Sequence, residues 1–135
     1  MPGDGKKNII KEQSFMSKVF IHIHSGPELV NKVSLGLLVA VTSVKEKHDV
    51  TVFFAGDGVV NMTCSKNGEF VGKGTGDVKD HLDVLREHNT PIFVSKLSAE
   101  ARGYNESLLN GYNAKLARPH DLLSLSLDAD VVLCY

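Results

Sequence analysis

Short apolar runs alternate with longer segments whose apolar residues recur at helical spacing. The apolar runs are rich in β-branched and aromatic residues, as strands are, and they occupy residues 18–24, 50–55, 92–94 and 131–135. A weaker extended segment covers residues 112–117. Runs such as 50–55 lack polar alternation, which is typical of parallel strands that are covered on both faces. The pattern therefore predicts an α/β domain with a mainly parallel sheet and helices on both faces.

The helical segments have recognisable starts. Pro27 precedes a long helix over residues 28–47, and Asp57 is a plausible N-cap for a helix that runs through Cys64. Asp77 is expected to cap a helix over residues 77–88. Pro119 begins a last segment, in which alternating leucines also fit a strand; a helix is preferred because residues 128–130 then separate it from the final run.

The helix over residues 28–47 is apolar nearly all round, which indicates burial on more than one side. An interface between copies of the chain is one explanation, because exposed apolar patches commonly mark contacts. Cover by another segment of the same chain is the other. The glycine-rich stretch 66–76 contains neither the GxxxxGK[ST] motif of P-loops nor the GxGxxG motif of dinucleotide sites. It is therefore expected to be a mobile surface loop or lid.

Residues 91–103 form the stretch around which the chain is organised. A buried strand ends at Ser95, Ser98 resembles a helix N-cap, and Gly103 is expected to end the short helix that follows. Ligands of open α/β sheets bind at the carboxyl ends of the strands. We therefore expect any functional site to lie beside Ser95.

Composition narrows the possible functions. The chain has 135 residues, a formal net charge of -1 and two cysteines, so it is long enough for one domain and lacks a disulfide framework. The charge balance argues against nucleic acid or a membrane surface as partner. Without an apolar leader or a spanning run, a cytoplasmic location is the default. Residues 1–17 are read as an N-terminal extension, and residues 18–135 as the domain.

Several side chains are candidates for chemistry. Ser95 needs a base to act as a nucleophile, and His24 or His120 lies at a suitable strand or helix end. His22 and His24 share one strand face, but spacing supplies no further metal ligand, so no metal is predicted. The remaining candidates are Lys96 and Arg102 as anion contacts, Cys64 as a reactive thiol, and Cys134, which is expected to be buried in the sheet.

The order of these segments resembles the DsrE/DsrF-like proteins, small sulfur-relay proteins of the YchN and TusD type. The resemblance rests on KVFIHIHSGPE, VTVFFAGDGVVNM, PIFVSKLSAEARGY and RPHDLLSLSLDADVVLCY, and it covers nearly all of residues 18–135. It implies a three-layer α/β/α fold around a five-stranded sheet and assembly into homotrimers or hexamers, for which helix 28–47 is the expected contact.

The resemblance also places a cysteine that carries persulfide sulfur just after the strand in some members. Ser95 occupies the matching position here, and a hydroxyl cannot hold a persulfide. The leading hypothesis is a binding or partner subunit with a small pocket and no cofactor. Its pocket residues would be His24, Ser95, Lys96, Ser98 and Arg102. Alternatives are a sulfur carrier that uses Cys64, and a small hydrolase that uses Ser95 with His24.

Overall fold

A five-stranded parallel sheet forms the centre of the computed structural model, which describes residues 16–135. The spatial order is β6-β5-β2-β1-β7. These strands are β1 (Lys18–Ile23), β2 (Asp49–Phe54), β5 (Ile92–Ser95), β6 (Ala114–Ala117) and β7 (Val131–Cys134). Two further short strands, β3 (Val71–Gly72) and β4 (Gly76–Asp77), pair as an antiparallel hairpin. The predicted α/β class and parallel sheet are confirmed.

The α-helices lie close to the predicted helical segments, although the short helix after β5 begins earlier than predicted. They are α1 (Val30–Lys45), α2 (Val78–Glu87), α3 (Lys96–Ala101) and α4 (Pro119–Asp128). Three 3₁₀ segments add to them, at Pro27–Leu29, Gly56–Thr63 and Glu106–Leu109. Asp77 caps α2 as predicted, because its side chain accepts a hydrogen bond from the backbone N–H of Lys79.

The predicted helix from Asp57 to Cys64 needs correction. The segment is a 3₁₀ helix rather than an α-helix, and its N-cap is Ala55. Asp57 lies inside the first turn, and its carboxylate accepts a hydrogen bond from Arg102 rather than from the helix backbone. Sequence spacing identified a helix start but could not locate a partner 45 residues further along the chain.

Two apolar layers sandwich the sheet. Alternate strand side chains point to opposite faces, so Ile21, Val52 and Val94 pack beneath α1 and α2 in the larger cluster. Phe20 and Phe53 lie on the other face, where α4 packs on them with partly buried leucines. We call this second side the α4 face.

The apolar circumference of α1 is explained in part by its own chain. One side packs on the sheet, while the hairpin of β3 and β4 lies so close that a Cβ at Gly72 would be 2.4 Å from the Cβ of Ser34. The stretch 66–76, predicted to be a loop or lid, thus contains regular structure packed on α1. Leu29 and Leu35 remain 47% and 43% exposed.

Among residues 16–135, one helical stretch of 19 residues, Pro27–Lys45, is long and apolar enough by composition alone to cross a membrane, with a mean hydropathy of 1.3 over 18 of its residues. In this fold its apolar residues Val33, Leu37 and Ala40 are fully buried against the domain core. Core helices of ordinary α/β domains pass the same test of composition. A single helix of this kind does not indicate a membrane protein.

The last strand was predicted to be buried, and this prediction is wrong. Within residues 16–135, β7 pairs only with β1, so it forms an edge of the sheet, and Val131 and Val132 are each 41% exposed. Cys134 is exposed rather than buried in the sheet. An apolar run identifies a strand, but the sequence does not say whether that strand has a neighbour and a helix on each side. Of the predicted extension 1–17, residues 1–15 lie outside the described part of the chain.

Candidate functional site

At the junction of β5 and α3, Ser95 has a different role from the one predicted. Strand β5 ends at Ser95 and α3 begins directly at Lys96. The Oγ atom of Ser95 accepts a hydrogen bond of 3.1 Å from the backbone N–H of Ser98, so Ser95 is the N-cap. The expected cap, Ser98, lies within the helix. Both serines fit the cap pattern, and the helix starts three residues earlier than the pattern suggested.

Ser98 connects the junction to the neighbouring strand. Its Oγ accepts a hydrogen bond of 2.9 Å from the backbone N–H of Gly56, the residue that opens the 3₁₀ helix after β2. Gly56 has a φ of +55°, a backbone conformation that residues other than glycine rarely adopt. The carboxyl ends of β2 and β5 are therefore held together by a serine hydroxyl that neither strand supplies.

The positive charge of Arg102 is already partnered. Its Nη2 donates to the carboxylate of Asp57 at 2.7 Å, and its Nη1 donates to the carbonyl oxygen of Ser98 at 3.1 Å. Arg102 thus links the end of α3 to the 3₁₀ helix that follows β2. Asp57 was not predicted to take part in the site, because the contact joins two segments distant in sequence. An ion pair this exposed contributes at most about 1 kcal/mol to stability.

His24 lies apart from Ser95. It is exposed just beyond β1, and β2 separates β1 from β5 in the sheet. Since neighbouring strands are about 4.8 Å apart, two strand spacings place these backbones about 10 Å apart. Within residues 16–135, no hydrogen bond joins Ser95 to a histidine. The other candidate base, His120, lies 3.3 Å from the carboxylate of Asp121.

Lys96 belongs to another part of the surface. It lines an open depression together with Glu100, Tyr104, Glu106 and Leu116. The five residues predicted for the site therefore divide into three groups. Ser95, Ser98 and Arg102 form one bonded unit with Asp57. Lys96 faces the depression beside α3, and His24 lies beyond β1 on the far side of β2.

The two cysteines have opposite surroundings. Cys64 is 3% exposed, and its Sγ lies 3.8 Å from the carbonyl oxygen of Lys66. Burial, followed by the charges of Glu69 and Asp77, raises the pKa of its thiol. That environment disfavours the thiolate, which is the nucleophilic form. Cys134 is exposed on the edge strand.

A polar atom that sequence reasoning did not single out lies beside that edge. His22 is half-buried on β1, and its Nε2 is buried without a hydrogen-bond partner among the residues that the structure describes. Burial, followed by the charge of His24, lowers the pKa of His22. Within residues 16–135, no group of three or more His, Cys, Asp or Glu side chains is placed to hold a metal ion.

Comparisons with known proteins agree with this architecture. The crystal structure of the YchN protein from E. coli superposes with a TM-score of 0.70 at 21% sequence identity, over 89% of this chain and 100% of that chain. No curated protein matches the chain. The model of the DsrE/DsrF-like family matches residues 17–135, which include every element of the sheet. The chain belongs to the DsrE/DsrF-like family.

Proposed function

We propose that this protein has a role related to sulfur relay and acts there as a binding or partner subunit, not as a sulfur carrier at the family position. Membership of the DsrE/DsrF-like family supports the general role. The observation that carries the specific role is the bonding of Ser95. Its hydroxyl caps α3 and lies where the resemblance places a persulfide-bearing cysteine.

The chemistry of the junction supports a binding role. A serine hydroxyl cannot form a persulfide, and here its oxygen is engaged with a backbone N–H. The alternative carrier, Cys64, is buried, and the pKa of its thiol is raised. Hydrolysis by Ser95 would need a base within hydrogen-bond reach. Its oxygen instead accepts from the helix backbone, and β2 lies between Ser95 and His24.

The binding surface would combine the junction with its neighbours. Ser95, Ser98 and Arg102 present a bonded, preorganised edge, while Lys96 and the exposed His24 lie on either side of it. A rigid edge of this kind suits recognition of another protein, because little conformational freedom is lost on contact. The partner would be another member of a sulfur-relay system, or another copy of this chain.

Intact-mass spectrometry tests the proposal. The Cys134→Ser variant is treated with a low-molecular-weight persulfide donor, so that only Cys64 can respond. We expect no gain of sulfur. A gain that disappears when Cys64→Ser is added would overturn the proposal and assign carriage to Cys64.

A second variant serves as a positive control for the junction. Ser95→Cys, made with both native cysteines replaced by serine, puts a thiol where the resemblance expects one. A thiol at a helix N-terminus has a lowered pKa, so we expect this variant to gain one sulfur atom. Uptake there, with none at Cys64, would show that the junction accommodates a persulfide and that the native serine withholds it.

A further inference from the structure

We propose that a surface depression beside α2 binds a small organic oxyanion, with Lys79 and Arg86 as its cationic contacts. The depression has a volume of about 490 Å³, and its walls come from α2, from the end of the 3₁₀ helix after β2, and from the segment that precedes β6. None of the residues that form the junction of β5 and α3 lines it. The proposal therefore goes beyond the binding role above.

The charged side chains in the walls of this depression are both positive. Lys79 and Arg86 line it, and no carboxylate of residues 16–135 does. Three other depressions on the surface each have at least one carboxylate in their walls, supplied by Asp49, Asp128, Glu100 or Glu106. A concave surface lined by cations without anions raises the local concentration of negatively charged ligands. The depression beside α2 therefore favours an anion.

Asp83 orients the two cations and leaves most of their donors available. Its Oδ1 atom accepts hydrogen bonds from Nζ of Lys79 and, at 2.9 Å, from Nη2 of Arg86. Within residues 16–135, neither cation has another side-chain hydrogen bond. An ammonium and a guanidinium group each carry several N–H donors, so both can contact a ligand while Asp83 holds them. One carboxylate between two cations also leaves the group positively charged.

Lys79 is more enclosed than surface lysines usually are. Its side chain is 15% exposed, whereas most lysines lie in solvent. The hydrogen bond to Asp83 raises the pKa of Lys79, so the ammonium group keeps its charge at pH 7. A charge with limited access to water attracts an anion more strongly than a fully solvated charge does. Lys79 is therefore the main cationic contact that we assign to the ligand.

Tyr112 adds a neutral donor at the same place. Its ring is half-buried against the larger apolar cluster, and the guanidinium carbon of Arg86 lies 5.7 Å from the ring centre. Its backbone N–H has a hydrogen-bond partner, whereas its hydroxyl has none within residues 16–135. Burial raises the pKa of the Tyr112 phenol, which therefore keeps its proton at pH 7 and can donate it to a ligand. Ser65, Ser107 and Asn110 contribute further hydroxyl and amide groups.

These groups define the chemical class of the ligand. Ammonium, guanidinium and phenol groups donate hydrogen bonds, so the matching group is an oxyanion such as a phosphate, a sulfonate or a carboxylate. Met62 and Leu108 add apolar surface to the walls. The volume lies in the range of pockets for small molecules and is larger than an inorganic ion needs. A small organic molecule with one oxyanion group and an apolar part fits these features.

Titration of the native protein with phenyl phosphate, followed by ¹H–¹⁵N NMR, tests the assignment. We expect saturable shifts that are concentrated at the backbone amides of Ser65, Lys79, Ser107 and Asn110. Benzoate and benzenesulfonate, titrated in the same way, identify which oxyanion binds most tightly. Phenol has the ring without the oxyanion and should bind at least about tenfold more weakly than the best of the three. Inorganic phosphate, which lacks the apolar part, should also bind more weakly than phenyl phosphate.

Three variants separate a binding site from a general attraction to positive charge. Lys79→Met keeps the length of the side chain and removes the cation, so we expect the affinity for phenyl phosphate to fall about tenfold. Tyr112→Phe leaves the ion pairs of Asp83 intact and removes only the hydroxyl, and the affinity should fall about threefold. Lys45→Met is the matched control, since it removes the same charge from an exposed position at the end of α1 and should leave the affinity unchanged.

Three results would overturn the assignment. The first is the absence of a saturable shift at these amides with any of the three organic oxyanions at millimolar concentration. The second is an equal loss of affinity in Lys79→Met and Lys45→Met, which would indicate attraction by net charge alone. The third is an unchanged affinity in both Lys79→Met and Tyr112→Phe. None of these readouts depends on sulfur uptake at Cys64 or Ser95, so the inference and the proposed binding role fail or survive separately.

Discussion

At the residue scale, the buried imidazole of His22 carries a cost to stability. Its Nε2 is buried without a partner in the described structure, while its ring packs between Phe20 and Phe53. Replacing an unsatisfied buried polar group by an apolar one of similar shape is neutral or stabilising. We therefore expect His22→Phe to raise the free energy of unfolding by about 1 kcal/mol, measured by urea denaturation at pH 7.

His24→Phe is the control for that prediction, since His24 is exposed and has no such penalty. It should change stability much less than His22→Phe. A clear loss of stability in His22→Phe would show that the imidazole has a partner and would contradict the account of the buried nitrogen.

His22 also predicts a pH dependence of stability. Burial, followed by the charge of His24, lowers its pKa in the folded protein below the usual 6.5. The unfolded chain therefore binds a proton at His22 where the folded protein does not, so the contribution to stability is full above about pH 6.5 and declines below it. Denaturation series from about pH 7.5 to 5 should show this decline.

The comparison variant for the pH series is again His22→Phe, which lacks the titrating group. Its free energy of unfolding should fall less steeply over the same range. Equal slopes in the two proteins would contradict a depressed pKa at His22. Direct titration of the imidazole by NMR gives a second measurement, and the midpoint should lie below 6.5.

Single residues are also where sequence reasoning had its limits. It noted that His22 and His24 share a face, but a pattern cannot tell that Nε2 is buried without a partner. It placed Cys134 in a strand correctly and its environment wrongly, because exposure depends on whether a further strand lies beside β7, and the described part of the chain supplies none. Environment is a property of the fold, whereas residue type and periodicity are properties of the chain.

At the scale of elements, the junction of β5 and α3 depends on one cap. Ser95 supplies the hydrogen bond to the N–H of Ser98, and α3 has only six residues in which to compensate for its loss. Replacing a serine cap by alanine typically costs about 1 kcal/mol. We expect Ser95→Ala to lower the free energy of unfolding by that amount, measured by denaturant unfolding.

The control for the cap is Ser124→Ala, at an exposed position within α4. Alanine is the better helix former there, so stability should stay the same or rise slightly. If Ser95→Ala were equally harmless, the Ser95 hydroxyl would not be the cap of α3. The position would then have lost its simplest structural explanation, and the hydroxyl would be free for another role.

The type of each element could be predicted from the sequence more reliably than its first and last residues. Apolar periodicity identified α1 and α2, apolar runs identified β1, β2 and β5, and α4 was preferred because residues 128–130 separate it from the final run. The start of α3 was misplaced because Ser95 and Ser98 are both acceptable caps three residues apart. The strands β3 and β4 were missed because each has two residues and their glycines resemble those of a loop.

At the scale of the whole molecule, the alternation of strands and helices predicted the topology. It did not predict which surfaces of the molecule make contacts. The parallel sheet confirms the prediction, since parallel strands need the helical crossovers that the pattern showed. The edges belong to β6 and β7, and no pattern in the sequence marks them as edges. Exposed apolar side chains therefore remain to be assigned, among them Leu29 and Leu35 at α1, Leu123 and Leu127 on α4, and Val131 and Val132 on β7.

Assembly through the long helix is the last prediction. We expect a homotrimer or hexamer whose contact includes Leu29 and Leu35, because these side chains, at the start of α1 and within it, are 47% and 43% exposed, whereas the other apolar residues of α1 are buried or partly buried. Light scattering after size-exclusion chromatography should show that mass, and Leu35→Glu should reduce it by burying an unpaired charge. Leu127→Glu, at a 78% exposed position on α4, is the matched control and should leave the mass unchanged. A monomeric wild-type protein would contradict the predicted assembly, and dissociation by Leu127→Glu alone would place the contact on α4 instead of α1.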